Sequence, residues 1–114
     1  MKLGLMLIRP PYTFQDVDTV YRLAKTALEK KYEVKIFLYV DSVIAANKEI
    51  NSGSERNLAK KLDELTRLGV EIKICGVCVQ YRGIKRDQLI EKGELEGLPG
   101  LADLIKECDK FVSI

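Results

Sequence analysis

The sequence predicts an α/β protein: a single domain over residues 1–114, built as a three-layer sandwich with a mostly parallel sheet of four to five strands. Three observations predict it. Leu3–Ile8 and Val34–Val40 are almost continuously apolar, as strands covered on both faces must be. Stretches with apolar residues at helical spacing separate the strand-like runs, and that alternation builds parallel sheets with right-handed crossovers. At 114 residues the chain is long enough for one core without staples and short for two.

Each element has its own local reason. The first strand stops at Pro10-Pro11. Helix one, about Phe14 to Lys30, carries Val17, Val20, Tyr21, Ala24 and Leu28 on one stripe, with Thr13 and Asp16 as a loose capping box. Strand two is rich in β-formers. After Asp41 comes a short apolar turn of helix, Val43 to Ala46, and then the most loop-like segment, Asn51-Ser52-Gly53-Ser54. Helix two, roughly Glu55 to Leu68, turns Leu58, Leu62 and Leu65 inward and closes at Gly69. Strand three, Val70–Ile74, alternates apolar Val70, Ile72 and Ile74 with Glu71 and Lys73. Arg86–Lys92 reads as a short helix and Glu94–Leu98 as a short strand or turn. The last helix begins after Pro99-Gly100, with Leu101, Leu104, Ile105 and Cys108 on one stripe, and Lys110–Ile114 is the final strand.

Composition narrows the function. The formal charge of +2, from 19 basic and 17 acidic residues, has no basic stripe, so no direct nucleic-acid partner is expected. Lys30-Lys31 sits where cations complement a helix end. No histidine occurs, which removes Ser-His-Asp and Cys-His catalysis and the commonest metal ligand. Three cysteines without histidine do not complete a structural zinc site in one subunit, so no metal is expected. Glycine-rich phosphate loops are absent, and no cofactor is expected. The opening apolar run is shorter than a secretory core and no stretch approaches a membrane span. The expectation is a cytoplasmic protein with reduced thiols, and an odd cysteine count is a poor disulfide framework.

Chemistry concentrates in Cys75-Gly76-Val77-Cys78-Val79-Gln80-Tyr81-Arg82-Gly83. Open α/β sheets present reactive groups at the carboxyl ends of strands. A thiol there, partly exposed beside backbone N–H groups and a guanidinium, has its pKa lowered from the free value of about 8.5. Cys75 ends the strand on the face of Glu71 and Lys73, and Cys78 is within reach if the chain curls into a turn or helix. The plain alternative is that both are packing residues beside a tight turn. Gly83 lets the chain turn sharply and would hold Arg82 near the cysteines, where a fixed positive charge favours thiolate. Arg82 could equally be solvated surface. Asp41, at the end of strand two, reads first as the N-cap of the following turn and second as a lining residue on the same sheet edge. Cys108 reads as a buried hydrophobe. A thioredoxin-like pair would open the first βα unit, whereas this one follows the third strand.

At these residues the chain resembles the DsrE/TusD-type sulfur-relay family, the DsrE/DsrF-like superfamily. The resemblance covers the opening strand, Val40-Asp41-Ser42-Val43, the block from Gly69 to Cys78 with Arg82-Gly83, the Gly100–Leu104 helix and the terminal strand with Asp109 and Phe111. It implies a small cytoplasmic α/β protein, a homo-trimer or homo-hexamer or a mixed assembly, that relays sulfur as a cysteine persulfide between donor and acceptor proteins. Cys75 is similar to the family's sulfur-accepting cysteine, and Cys78 to a second cysteine found in some members. Ser42 stands where many members have glycine. Cys78 would then either resolve the persulfide, forming a disulfide and releasing sulfide, or act as a relay. The other class of reading is a non-catalytic oligomeric module binding a small anion or metabolite. Apolar surface left by strand three and the short elements after Gly83 also points to self-association.

Overall fold

The structure, a computed structural model, describes residues 1–114. Five strands form one sheet in the order β4-β3-β2-β1-β5, with β1 Lys2–Leu7, β2 Glu33–Leu38, β3 Glu71–Cys75, β4 Glu94–Glu96 and β5 Lys110–Ser113. Every neighbouring pair runs parallel. The two apolar runs are interior strands, as their composition requires. The helices are α1 Asp16–Glu29, α2 Leu58–Arg67, α3 Gly76–Tyr81 and α4 Leu98–Glu107. From β1 to β4 the chain steps one place at a time in one direction, so right-handed crossovers lay α1 and α2 on one face. The return from β4 to β5 crosses in the opposite sense and lays α4 on the other face.

On the first face Leu5, Leu7, Ile36, Leu38, Ile72 and Ile74 meet Val17, Val20 and Ala24 of α1 and Leu58, Leu62 and Leu65 of α2, all essentially without exposure. Burying each leucine or isoleucine contributes roughly 1.5–3 kcal/mol. The opposite face is different. Lys35 on β2 lies between Glu71 at 2.7 Å and Glu107, and Lys73 on β3 lies 2.9 Å from Glu96. The carboxylates of Glu107 and Glu71 push the Lys35 ammonium above its ordinary range, and Lys35 holds both carboxyls below theirs. The alternating charges of strand three are thus half-buried ion pairs, not a solvated face. β1 crosses this face at Gly4, where a side-chain carbon would come within 2.8 Å of Cys108 Sγ and 2.9 Å of Phe111. A glycine there lets α4 settle close to the sheet.

Several local expectations change. Helix one has Gln15 as N-cap with no side-chain cap. The Thr13–Asp16 box does not form, because the buried Asp16 carboxylate accepts both the Nε and Nη2 of Arg9, at 2.8 and 2.7 Å. Residues Arg86–Gln88 make only one 3-10 turn. Helix α4 begins at Leu98, with Pro99 in its first turn, where a missing N–H costs nothing. Of its expected inner stripe only Leu104 is buried; Leu101 is half-buried and Ile105 is 45% exposed. Cys108 is the C-cap, half-buried against Gly4, so it lies past the helical stripe. Strand two ends at Leu38, two residues early, for a reason that belongs to the site.

Candidate functional site

Two chain segments build the site at the carboxyl edge of the sheet. The first follows β2. Tyr39 is extended, and Val40 then turns into the left-handed region at φ 55° and begins a 3-10 helix, Val40–Ala46. A β-branched residue in that region is strained. Ser42, fully buried, holds the bend: its hydroxyl accepts the Tyr39 N–H at 2.8 Å and donates to the Leu7 carbonyl at 2.7 Å. Ser42 therefore ties the loop to the end of β1.

The second segment follows β3. Cys75 is both the last strand residue and the N-cap of α3, and its sulfur accepts the Cys78 N–H at 3.3 Å, one of the otherwise unpaired donors of a helix start. Gly76 opens the helix with ordinary room around it. At the far end Gly83, at φ 66°, closes α3: its N–H goes to the Gln80 carbonyl and that of Ile84 to Val79. That pairing is a Schellman motif, and it is the physical use of the glycine. Arg82 is the C-cap of α3 itself, so the helix, rather than the turn after it, keeps Arg82 beside the cysteines.

The two segments meet through sulfur and charge. The Val40 N–H donates to Cys78 Sγ at 3.3 Å. Cys75 and Cys78, with Cα atoms 5.3 Å apart, are joined as a disulfide. Arg82 donates through Nε and Nη2 to Asp41 Oδ1, at 3.0 and 2.7 Å, and through Nη1 to the Cys78 carbonyl at 2.9 Å. All six residues singled out from the sequence, Asp41, Cys75, Gly76, Cys78, Arg82 and Gly83, are thus brought to one edge. Two roles change. Asp41 is not an N-cap: Tyr39 occupies that position, and Asp41 is the counter-ion of Arg82. Arg82 is therefore neither free surface nor an uncompensated positive charge. Exposure changes as well. Cys75, the N-cap of α3, is only 6% exposed, and Cys78, on the helix's buried side, 8%. The outer side of α3 carries the exposed Val77 and Tyr81, one turn apart.

Val40 and Ser42 are the site residues that sequence reasoning missed as parts of the cysteine centre. No local signal marks Val40, since its type argues against the conformation it adopts. Cys108 lies apart from the site, and burial pushes its thiol up from the ordinary value, with Glu107 adding to the effect. Surface clefts of about 290 and 380 Å3, one lined by Lys48, Asn57 and Lys60 and the other by Asp18, Arg22 and Arg56, include none of the six residues. No helix is long and apolar enough to cross a membrane.

A model of the DsrE/DsrF-like family matches residues 1–114. An uncharacterized protein of Methanocaldococcus jannaschii is 34% identical over 113 residues, covering 99% of each chain. The sulfurtransferase TusD of Proteus mirabilis is 27% identical over 122 aligned positions, covering 95% of this chain and 94% of its own. The crystal structure of the ychN protein from Escherichia coli superposes with a TM-score of 0.91 at 28% identity, covering 100% of this chain and 99% of that one.

Proposed function

The chain belongs to the DsrE/DsrF-like family, and from that premise we propose that it is a sulfur carrier of sulfurtransferase type, with Cys75 as the sulfur-accepting residue. The observation that carries the reading is the position of Cys75. It is the end of β3 and the cap of α3, with a backbone N–H directed at its sulfur at 3.3 Å. In the reduced protein the Cys75 thiolate attacks the outer sulfur of a donor persulfide, R–S–SH. The products are Cys75–S–SH and the donor thiolate. An acceptor thiolate then takes the same sulfur and restores Cys75. Every bond broken is S–S and every bond formed is S–S, so no cofactor takes part.

Burial of both sulfurs makes opening of α3 part of this proposal. A six-residue helix is far below the length that stands alone in water. Lifting its first turn is therefore a local event, and it exposes Cys75 to a partner's thiol while the sheet stays intact. The exposed Val77 and Tyr81 are the first residues a sulfur-bearing partner would meet. The small-anion reading has less support, because the one guanidinium at the loop is already neutralised by Asp41. We extend the proposal to a cytoplasmic homo-oligomer, a trimer or hexamer. Leu95, Leu98, Ile105 and Val112 remain exposed around α4 and the sheet edges, more apolar surface than isolated residues would leave.

The test is intact-mass analysis of the reduced Cys78→Ser variant after incubation with glutathione persulfide. One added sulfur atom on Cys75, lost when Cys75→Ser is added and retained when Cys108→Ala is added, is the expected result. Sulfur on Cys108, or on no cysteine of any variant, overturns the reading.

A further inference from the structure

We infer that Cys78 is a resolving thiol, which gives this protein a second activity: reductive release of its carried sulfur as sulfide. The inference rests on the sulfur-carrier reading of Cys75 and deepens it. Three observations carry it. The Cα atoms of Cys75 and Cys78 stand 5.3 Å apart, inside the window of about 4.4–6.8 Å that a disulfide needs, so the two sulfurs join without backbone movement. Each sulfur has its own backbone donor: the Cys78 N–H faces Cys75, and the Val40 N–H faces Cys78, both at 3.3 Å. The Val40 donor comes from a different segment and is held in place by a strained turn, φ 55°. Finally, Cys78 is a buried residue of α3, 8% exposed, so its nearest electrophile is the sulfur of Cys75 and not a group arriving from solvent.

The step balances within the site. Once Cys75 is Cys75–S–SH, the Cys78 thiolate attacks the inner sulfur, Cys75 Sγ. The bond from Cys75 Sγ to the outer sulfur breaks, and the outer sulfur leaves with the electron pair as HS⁻. The sulfane sulfur gains two electrons, and Cys75 and Cys78 lose one each in forming their disulfide. Accumulation of thiolate on Cys78 is favoured by the Val40 N–H, as hydrogen bonding to the charged form always does. A dithiol reductant returns the pair to two thiols. The site therefore has two exits for one sulfur. An acceptor thiolate that engages the outer sulfur receives it; without an acceptor, Cys78 discharges the carrier and locks it as a disulfide that takes no further load.

The experiment gives one equivalent of glutathione persulfide to the reduced wild type, Cys78→Ser, Cys78→Ala and Cys75→Ser, and follows released sulfide together with intact mass. Wild type is expected to release about one sulfide per chain, a stoichiometry set by the single disulfide it can form, and then stop as the Cys75–Cys78 disulfide. Dithiothreitol restarts it with a second equivalent of donor. Both Cys78 variants are expected to keep the added sulfur on Cys75 and release sulfide at least tenfold more slowly. Two outcomes overturn the inference and leave the carrier intact: a wild type that holds its persulfide as long as Cys78→Ser does, or a wild type whose sulfur maps to Cys78. If the Cys78 variants, folded by circular dichroism, take up no sulfur at all, the carrier reading fails first. Melting curves of both variants identify any that has lost the fold, and Cys78→Ala and Cys78→Ser must agree.

Discussion

The Val40 backbone N–H donates to Cys78 Sγ across 3.3 Å, linking the turn after β2 to the helix after β3. That bond requires Val40 to hold a positive φ, the conformation least suited to a β-branched residue. Val40→Gly should remove the strain and keep the donor. The left-handed region costs a non-glycine residue roughly 1–2 kcal/mol. Extra flexibility in the unfolded chain returns about 0.4–1 kcal/mol of that gain. The expected outcome is a melting temperature equal to wild type or a few degrees higher, with Cys78 reactivity retained. A loss of more than about 1 kcal/mol would mean that the valine side chain, not the backbone, secures the turn.

Asp41 and Arg82 act on the cysteines in opposite directions, and their pairing makes single variants informative. Asp41→Asn leaves the guanidinium uncompensated beside the Cys78 carbonyl, so thiolate formation in the reduced protein should move to lower pH. Arg82→Ala leaves the carboxylate alone and should move it to higher pH. The double variant should fall between them. Alkylation rate against pH for the four proteins decides this; superimposable profiles would make the pair a mechanical tie for α3. Stability should change little in Asp41→Asn, because the ion pair is partly exposed and such pairs contribute about 0–1 kcal/mol.

Acid should unfold the protein through its paired carboxylates. Arg9 holds Asp16 below its ordinary value, Lys35 does so for Glu71 and Glu107, and Tyr21 with Lys25 does so for Glu64. Each is depressed on folding, so its contribution is complete above the unfolded pKa, about 4–4.5. It is lost as the pH falls through the lower folded value. Thermal melts should therefore be flat from about pH 5 to 7 and fall steeply below about pH 4. Lys35→Met should shallow that fall, since Glu71 and Glu107 lose a shared partner. An unchanged acid limb would show that other carboxylates set it.

Gly4 and Cys108 should be coupled. Alanine at position 4 meets Cys108 Sγ at 2.8 Å, Phe111 at 2.9 Å and Leu104 at 3.1 Å. Overpacking of this kind costs about 1–3 kcal/mol. Cys108→Ala removes the sulfur that is met first, so the double variant should recover part of the loss, by a double-mutant cycle in denaturant. Additive losses would place the clash on Phe111 and Leu104 instead. In the same geometry Cys108, with its thiol raised by burial, should be the slowest cysteine to alkylate in the folded, reduced protein.

Short-range patterns in the chain were enough to determine the α/β class, the parallel sheet and the edge at which the cysteines lie. Leu3–Ile8 and Val34–Val40 are too apolar for any place but the middle of a covered sheet. Gly69 announces the helix end that it closes at φ 101°, and Gly83 the sharp turn that it makes at φ 66°. These features depend on a residue and its near neighbours, so they survive without the fold. Tertiary structure alone decided which groups became partners. Val40 finds Cys78 at a separation of 38 residues, and Arg82 finds Asp41 at 41. Such pairings follow from the register of β2 against β3, which no local period records. The same is true of burial. Cys75 at a strand end reads as half-open, and as the N-cap of α3 it is only 6% exposed. The charges of Lys35, Glu71 and Lys73 name no partners by themselves; α4 returning across the sheet brings Glu107 to Lys35, and β4 brings Glu96 to Lys73. Where the outcome depends on which surface comes to lie over a residue, only the assembled chain contains the answer.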